Sequence, residues 1–92
     1  MAILRNIADV TVGAAASIIV PANTKRNKLV ISQSSANPVR VGVLGVLATS
    51  GVRLAQGQQL IFDGEDCPTE AIYAIREGAT DGTCQALEVS LS

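Results

Sequence analysis

Few side chains in this sequence have the types and spacing that chemistry requires. The chain contains no histidine, so the commonest general base is missing and neither a Ser-His nor a Cys-His pair can form. Its densest group of carboxylates comprises Asp63, Glu65 and Asp66, with Glu70 nearby. A calcium loop needs ligands at alternating positions over a longer run than Pro68 allows here. We predict no catalytic, metal or cofactor-binding residue and read this run as a solvated loop, with a weak metal site or a charge-paired partner contact as alternatives.

The basic residues Lys25, Arg26 and Lys28 form the other charged group. They could hold a phosphate or an acidic protein surface, or they could belong to a solvated loop in which Asn23 bonds the backbone. The net charge of -1 argues against binding to a nucleic-acid backbone, which needs an excess of positive charge. We predict Lys25 and Arg26 as partner contacts and expect no nucleic-acid partner.

Cys67 and Cys84 are the two cysteines of the chain. Two cysteines without histidine make a poor metal site, and their predicted positions are too far apart for a disulfide bond. We predict two reduced thiols in a protein made in the bacterial cytoplasm. The sequence shows no secretion signal and no run of about 18 apolar residues, so no membrane partner is expected.

The elements that must position these residues are predicted as strands. Aromatic residues make up 2% of the chain, so the core must come from Val, Ile, Leu and Ala, and β-branched residues favour strands. Short apolar or alternating segments separated by turn signals every 8–12 residues indicate an all-β, single-domain antiparallel β-sandwich or jelly-roll-like barrel of about eight strands. The predicted strands are Asp9–Val12, Ala16–Val20, Lys28–Gln33, Val39–Val43, Val52–Ala55, Gln59–Phe62, Ala71–Glu77 and Thr83–Ser90.

Two stretches do not follow this alternation. Residues 1–9 form an apolar N-terminal arm before the sandwich domain of residues 10–92. The arm either adds an edge strand or reaches a neighbouring chain, and we predict Ile3, Leu4 and Arg5 as partner contacts. Leu44–Gly51 is apolar without a strand-like face, which is unusual for a loop.

The last two predicted strands are expected to form a hairpin, because the segment between them contains two glycines and an aspartate. The first of these strands is apolar on both faces, so both faces need a cover. One face is predicted to join the core; with residues of other strands, the predicted core is Leu29, Ile31, Val41, Tyr73, Ile75, Leu87 and Val89. The second face is predicted to be an oligomer interface formed by Ile72, Ala74, Cys84 and Ala86, unless the other sheet or the 44–50 segment covers it.

The order of these segments resembles a known family. Ile-Ile-Val-Pro-Ala-Asn at 18–23, Leu-Val-Ile-Ser-Gln-Ser-Ser-Ala-Asn-Pro-Val-Arg-Val-Gly at 29–42, Val-Arg-Leu-Ala at 52–55 and Ala-Ile-Tyr-Ala-Ile at 71–75 are similar to small β-sandwich proteins of tailed bacteriophage particles. The resemblance spans residues 10–89 and implies no catalytic residue. It implies a virion protein, foremost a capsid decoration (cement) protein that binds the major capsid protein as a homotrimer.

Other functions are open on the sequence. A tail or head-fibre adaptor belongs to the same class of virion proteins. A carbohydrate-binding module is disfavoured because such sites stack sugars on aromatic rings, of which the chain has one Tyr and one Phe. A hydrolase is disfavoured by the missing histidine.

Overall fold

The structure of the protein is a computed structural model that describes residues 2–64 and 67–91. Its regular elements are eight strands. They are β1 (Ala2–Val12), β2 (Ser17–Val20), β3 (Arg26–Gln33), β4 (Val39–Gly42), β5 (Val52–Leu54), β6 (Gln59–Asp63), β7 (Ile72–Arg76) and β8 (Gly82–Leu91).

The strands form two four-stranded sheets with the orders β1-β8-β3-β6 and β2-β7-β4-β5. The first strand pairs with the last, the second with the second last, and so on inward to β4 and β5, and all pairs are antiparallel. The chain therefore behaves as one long hairpin that is wrapped into two sheets, which is the jelly-roll arrangement. The predicted fold class is confirmed.

Most predicted strands agree with the observed ones within two residues, but the predicted hairpin between β7 and β8 is wrong. β7 lies in one sheet between β2 and β4, and β8 lies in the other between β1 and β3. The glycine-rich segment crosses from one sheet to the other instead of reversing the chain within a sheet. Gly82 permits a close approach there, because a Cβ atom at this position would lie 2.5 Å from Cγ1 of Val39.

The core lies between the two sheets. Its buried apolar members are Val12, Ile19, Val20, Leu29, Ile31, Val39, Val41, Leu54, Cys67, Ile72, Ala74 and Cys84. The prediction is confirmed for Leu29, Ile31 and Val41. It is wrong for Tyr73, Ile75, Leu87 and Val89, because β7 and β8 turn their other faces inward.

The described part of the N-terminal arm forms the first half of β1, an edge strand paired with β8. The register shifts between Ile7 and Val10, so the strand carries an irregularity of the β-bulge type. Beyond this irregularity Val12 is buried, whereas Ile3 and Leu4 remain exposed. Of the two alternatives for the arm, the structure shows the edge strand.

Candidate functional site

The most polar place in the core is an ion pair between Arg26 and Glu88. Nε of Arg26 donates to the Glu88 carboxylate at 2.8 Å, and both side chains are fully buried. A second arginine, Arg5, reaches the same carboxylate at 3.2 Å from the surface, with 56% of its side chain exposed. Asn23 donates to it at 3.3 Å. Four groups thus share one buried site that links β1, β3 and β8.

Arg26 also fixes two loops through its remaining nitrogens. Nη1 donates to the carbonyl oxygens of Pro68 at 2.8 Å and of Glu70 at 3.2 Å, and Nη2 donates to the carbonyl of Pro21. A guanidinium presents several donors in a fixed plane, which suits such a set of acceptors. The prediction of Arg26 as a partner contact is therefore wrong, because its donors are occupied inside the protein. Lys25 is exposed.

The residues predicted as an oligomer interface do not form a surface. Ile72, Ala74 and Cys84 are buried members of the core, and Ala86 packs against that core. The prediction that these residues face outward is wrong, since the opposite sheet covers them. The alternative cover by the other sheet is the one observed.

The outer face of β7 is the one that remains accessible. Tyr73 and Ile75 are half-buried there, and Tyr73 lies opposite Ile18 of β2, which is exposed. Both faces of the strand are apolar, as the sequence indicated. The face predicted to join the core is the accessible one, and the face predicted to be an interface is buried.

The other predicted partner contacts come together at one end of the sandwich. Ile3 pairs with Ser90 of β8, and Arg26, the neighbour of Lys25, pairs with the same residue from the other side. Adjacent strands lie about 4.8 Å apart, so the backbone of Arg26 lies about two strand spacings from that of Ile3, and Lys25 immediately precedes Arg26. Side chains alternate along a strand, so Leu4 lies on the face of β1 opposite to Ile3 and Arg5. The exposed start of β1 together with Lys25 is called here the basal patch (Ile3, Leu4, Arg5 and Lys25).

Both thiols are free and buried. Burial raises the pKa of Cys84 to about 11, and burial is also the largest cause that raises the pKa of Cys67. A thiol reacts through its thiolate, so neither residue is poised for redox chemistry or covalent catalysis. The reduced state predicted from the sequence agrees with this placement.

The acidic run can be followed in part. Asp63 ends β6 and is exposed, as is Glu70, whereas Glu65 and Asp66 lie outside the described residues. Within the described ranges no group of three or more metal-ligating side chains comes together. No helix in the described part of the chain has the length and hydropathy to cross a membrane.

A second charged cluster lies on the outer face of the β2-β7-β4-β5 sheet. Arg40 and Arg53 face each other across β4 and β5 and both donate to Glu77, at 2.8 and 2.9 Å. The pKa of Glu77 is lowered, first by the hydrogen bond from Arg53 and then by that from Arg40. Two cations on one carboxylate leave this face with a positive charge.

The segment 43–51 connects β4 to β5 and forms the tip of the long hairpin; it is called here the apical loop. Its leucines are among the most exposed apolar side chains of the described residues, Leu44 at 79% and Leu47 at 60%. The backbone is nevertheless ordered: the amide of Val46 donates to the carbonyl of Val43 at 3.1 Å, and that of Ser50 to the carbonyl of Leu47 at 3.0 Å. The loop therefore presents apolar side chains to solvent from a fixed backbone.

Val46 anchors the apical loop to the sheet. It is 7% exposed, and its side chain fills the space left by two glycines. A Cβ atom at Gly51 would lie 2.8 Å from Cγ2 of Val46, and one at Gly42 would lie 3.1 Å from the same atom. Gly51 also has a φ of 80°, a conformation that residues with a side chain rarely adopt.

An apolar cavity of about 260 Å³ opens beside the apical loop; it is called here the apical groove. It lies where β6 and the β4–β5 pair, edge elements of the two sheets, stand apart. Its walls are Val41, Gly42, Val43, Val52, Leu60, Phe62, Pro68, Glu70 and Ile72. Val43 belongs to both the groove and the loop, so the two features adjoin.

The apical loop and the apical groove were not among the sites predicted from the sequence. The sequence feature that could have indicated the loop is the stretch 44–51, which is apolar but lacks the alternation of a strand. The groove could not be found from the sequence, because its walls come from β4, β5, β6, β7 and the segment before β7.

The fold is that of a small all-β jelly-roll protein. Its described residues include several exposed apolar side chains and no cluster of metal-ligating side chains. No protein-family model matches the chain, and no curated protein is significantly similar to it in sequence. Among solved structures, it is similar to a protein of Bacillus endospore appendages, which form a family of disulfide-linked pili. The TM-score is 0.54 at 20% identity, and the match covers 99% of this chain and 89% of the other. At this identity the likeness concerns the fold.

Proposed function

We propose that the protein is a non-enzymatic structural subunit of a phage virion, foremost a decoration protein that binds the major capsid protein on the assembled head. The observation that carries the proposal is the set of apolar side chains that an ordered backbone holds in solvent on the edge strand β1 and on the apical loop. Such groups are typical of contact surfaces in protein assemblies. The sequence resemblance to small β-sandwich proteins of phage particles supplies the choice of particle.

The basal patch is the surface that we assign to the capsid. Ile3 and Leu4 are exposed at 49% and 66% and stand beside the cations Arg5 and Lys25. An apolar centre with a charged rim is the usual anatomy of a protein interface. The matching capsid surface would be apolar with acidic groups around it.

Stabilisation of the head would follow from linkage. A protein that binds the assembled shell more tightly than its separated subunits shifts the equilibrium toward the shell. A homotrimer would increase this effect, because three linked contacts bind with a higher effective concentration than one. The proposal includes such a trimer and a location in the virion.

A second candidate function is a subunit of an extracellular appendage. It is favoured by the structural similarity to the Bacillus appendage protein, which extends over nearly the whole chain. The appendages of that protein are disulfide-linked pili. In this chain Cys67 and Cys84 are buried and would not supply links between subunits, so a filament would need other contacts.

Co-sedimentation with purified heads that lack the protein tests the first proposal. We expect the parent to pellet with the heads and Leu4→Glu to bind at least about tenfold more weakly, because the substitution puts an unpaired charge into the contact. Ile61→Glu, at an apolar residue of β6 that is 57% exposed and lies outside the basal patch, the apical loop and the lining of the apical groove, is the control for capsid docking. Electron microscopy of the protein alone tests the second candidate. Filaments without head binding would favour the appendage subunit, and the absence of both would contradict both functions.

A further inference from the structure

The apical loop and the apical groove are complementary in shape and polarity, but within one chain the leucines of the loop do not fill the groove. Val46 holds the loop against Gly42 and Gly51, which leaves Leu44 and Leu47 pointing into solvent. The groove beside them is open and lined mostly by apolar side chains. We propose that two copies of this chain associate through these features, with the leucines of one copy in the groove of the other.

The sizes of the two parts match. A cavity of roughly 150 Å³ is enough to hold a benzene molecule in a protein core. The apical groove, at about 260 Å³, therefore has room for the branched ends of Leu44 and Leu47. Burial of these side chains removes apolar area from water, which is the main favourable term in protein association.

The charges around the two parts also match. Arg53 follows Val52 in β5 and is half exposed, and with Arg40 and Glu77 it makes the loop side of the contact positive. Glu70 lines the groove, and Asp63 follows the groove residue Phe62 in β6. In the described residues neither of these two carboxylates has an ion pair within the chain. Opposite charges on the two sides would orient the copies and disfavour other partners.

The rigidity of the loop adds to the case for a docking surface. A backbone that is already fixed by hydrogen bonds and by an anchored side chain loses little conformational entropy on association. Since the loop and the groove adjoin at Val43, the contact can close in two ways. A reciprocal pair uses both contacts about a two-fold axis, and a ring of three uses loop into groove in one direction.

The inference rests on the proposed structural role, which requires contacts between subunits, but its test uses the purified chain without heads. We expect the parent to form a dimer or a trimer in size-exclusion chromatography with light scattering. Leu44→Glu with Leu47→Glu should raise the dissociation constant by about thirtyfold or more, the size of a hot-spot loss. Because both leucines are exposed, the circular dichroism spectrum and the melting temperature of the dissociated protein should stay near those of the separated parent.

Leu4→Glu is the matched control, since Leu4 is exposed at 66% and lies in the basal patch on β1, an edge strand of the sheet that does not carry the apical loop. This variant should keep the mass of the parent. A monomeric parent, an oligomer that survives the loop substitutions, or equal dissociation by Leu4→Glu would each overturn the inference. An oligomer that does not bind heads would contradict the capsid role alone. A monomeric parent that binds heads would contradict this inference alone, so the two proposals can be told apart.

A disulfide trap identifies the contact directly. One copy carries Leu44→Cys and another carries Glu70→Cys, and the two are mixed under mild oxidation. We expect a cross-linked mixed dimer on a non-reducing gel, while the buried Cys67 and Cys84 stay unreacted. The pair Leu4→Cys and Glu70→Cys is the control, and equal cross-linking of this control would contradict the assignment.

Discussion

The buried ion pair permits a sharp test of what stabilises this sandwich. Arg26→Met replaces the guanidinium by an apolar side chain of similar length and leaves Glu88 fully buried. The carboxylate then retains Asn23 at 3.3 Å and the exposed Arg5 at 3.2 Å. Breaking a buried pair by removing one partner costs about 3–5 kcal/mol, and here the buried carboxylate loses its fully buried partner and keeps only a cation that is half exposed.

Loop contacts add to this cost. The carbonyl groups of Pro21, Pro68 and Glu70 lose the donor that they share, although water can reach part of this site. For a domain of this size, a loss of 3–5 kcal/mol corresponds to a fall in melting temperature of at least ~12 °C. It is also a large share of the ~5–15 kcal/mol that stabilises a typical small domain.

Urea unfolding followed by far-ultraviolet circular dichroism measures the effect, since the chain has no tryptophan to report by fluorescence. Arg5→Met is the matched control at the same carboxylate. Exposed ion pairs contribute roughly 0.2–1 kcal/mol, so this variant should lose much less. An Arg26→Met variant that is no less stable than Arg5→Met would refute the reasoning.

The double variant Arg26→Met with Glu88→Leu separates charge from loop contacts. Replacement of a whole buried pair by apolar residues is often neutral or stabilising, so the double variant should be more stable than Arg26→Met alone. If it is not, the loss in the single variant comes from the loop carbonyls and not from the unpaired carboxylate.

Other parts of the structure give further expectations. Ile72→Ala, in the core, should cost ~2–5 kcal/mol, whereas Ile75→Ala on the outer face should cost less in the same unfolding assay; equal losses would contradict the face assignment. Cys84 of the folded protein should react slowly with a thiol reagent near pH 8, because burial raises its pKa to about 11, and rapid labelling without denaturant would show that the site opens. The pKa of Glu77 is lowered below its ordinary value of 4.5, so its stabilising contribution is present above that pH and is lost as the pH falls through the folded-state pKa. Glu77→Gln should therefore flatten the loss of melting temperature between about pH 5 and about pH 3, and an unchanged slope would exclude this role.

The sequence determined the strands of this protein and its fold class. In β3 and β4 the alternation of apolar and polar residues coincides with a single buried face, so Leu29, Ile31 and Val41 are assigned correctly. Side chains of a strand point to opposite faces in turn, and this local rule needs no knowledge of the rest of the chain. Gly, Pro and Asn then mark where strands end.

The tertiary structure decided which strands pair and which face of β7 and β8 is buried. Both faces of β7 are apolar, so alternation cannot select one, and sequence proximity suggested a hairpin where the jelly roll separates the two strands. In β8 the predicted core residues Leu87 and Val89 flank Glu88, so the alternation directs Glu88 away from the core. It is inside because Arg26, distant in the sequence, provides the opposite charge that a buried carboxylate needs.

The same reason applies to the candidate sites. The apolar stretch 44–51 is visible in the sequence, but its exposure depends on Val46 fitting against Gly42 and Gly51. The apical groove exists because two edge elements, distant along the chain, stand apart beside that loop. Contacts between residues that are far apart in sequence are set by the global packing of the sheets, and no local pattern records them.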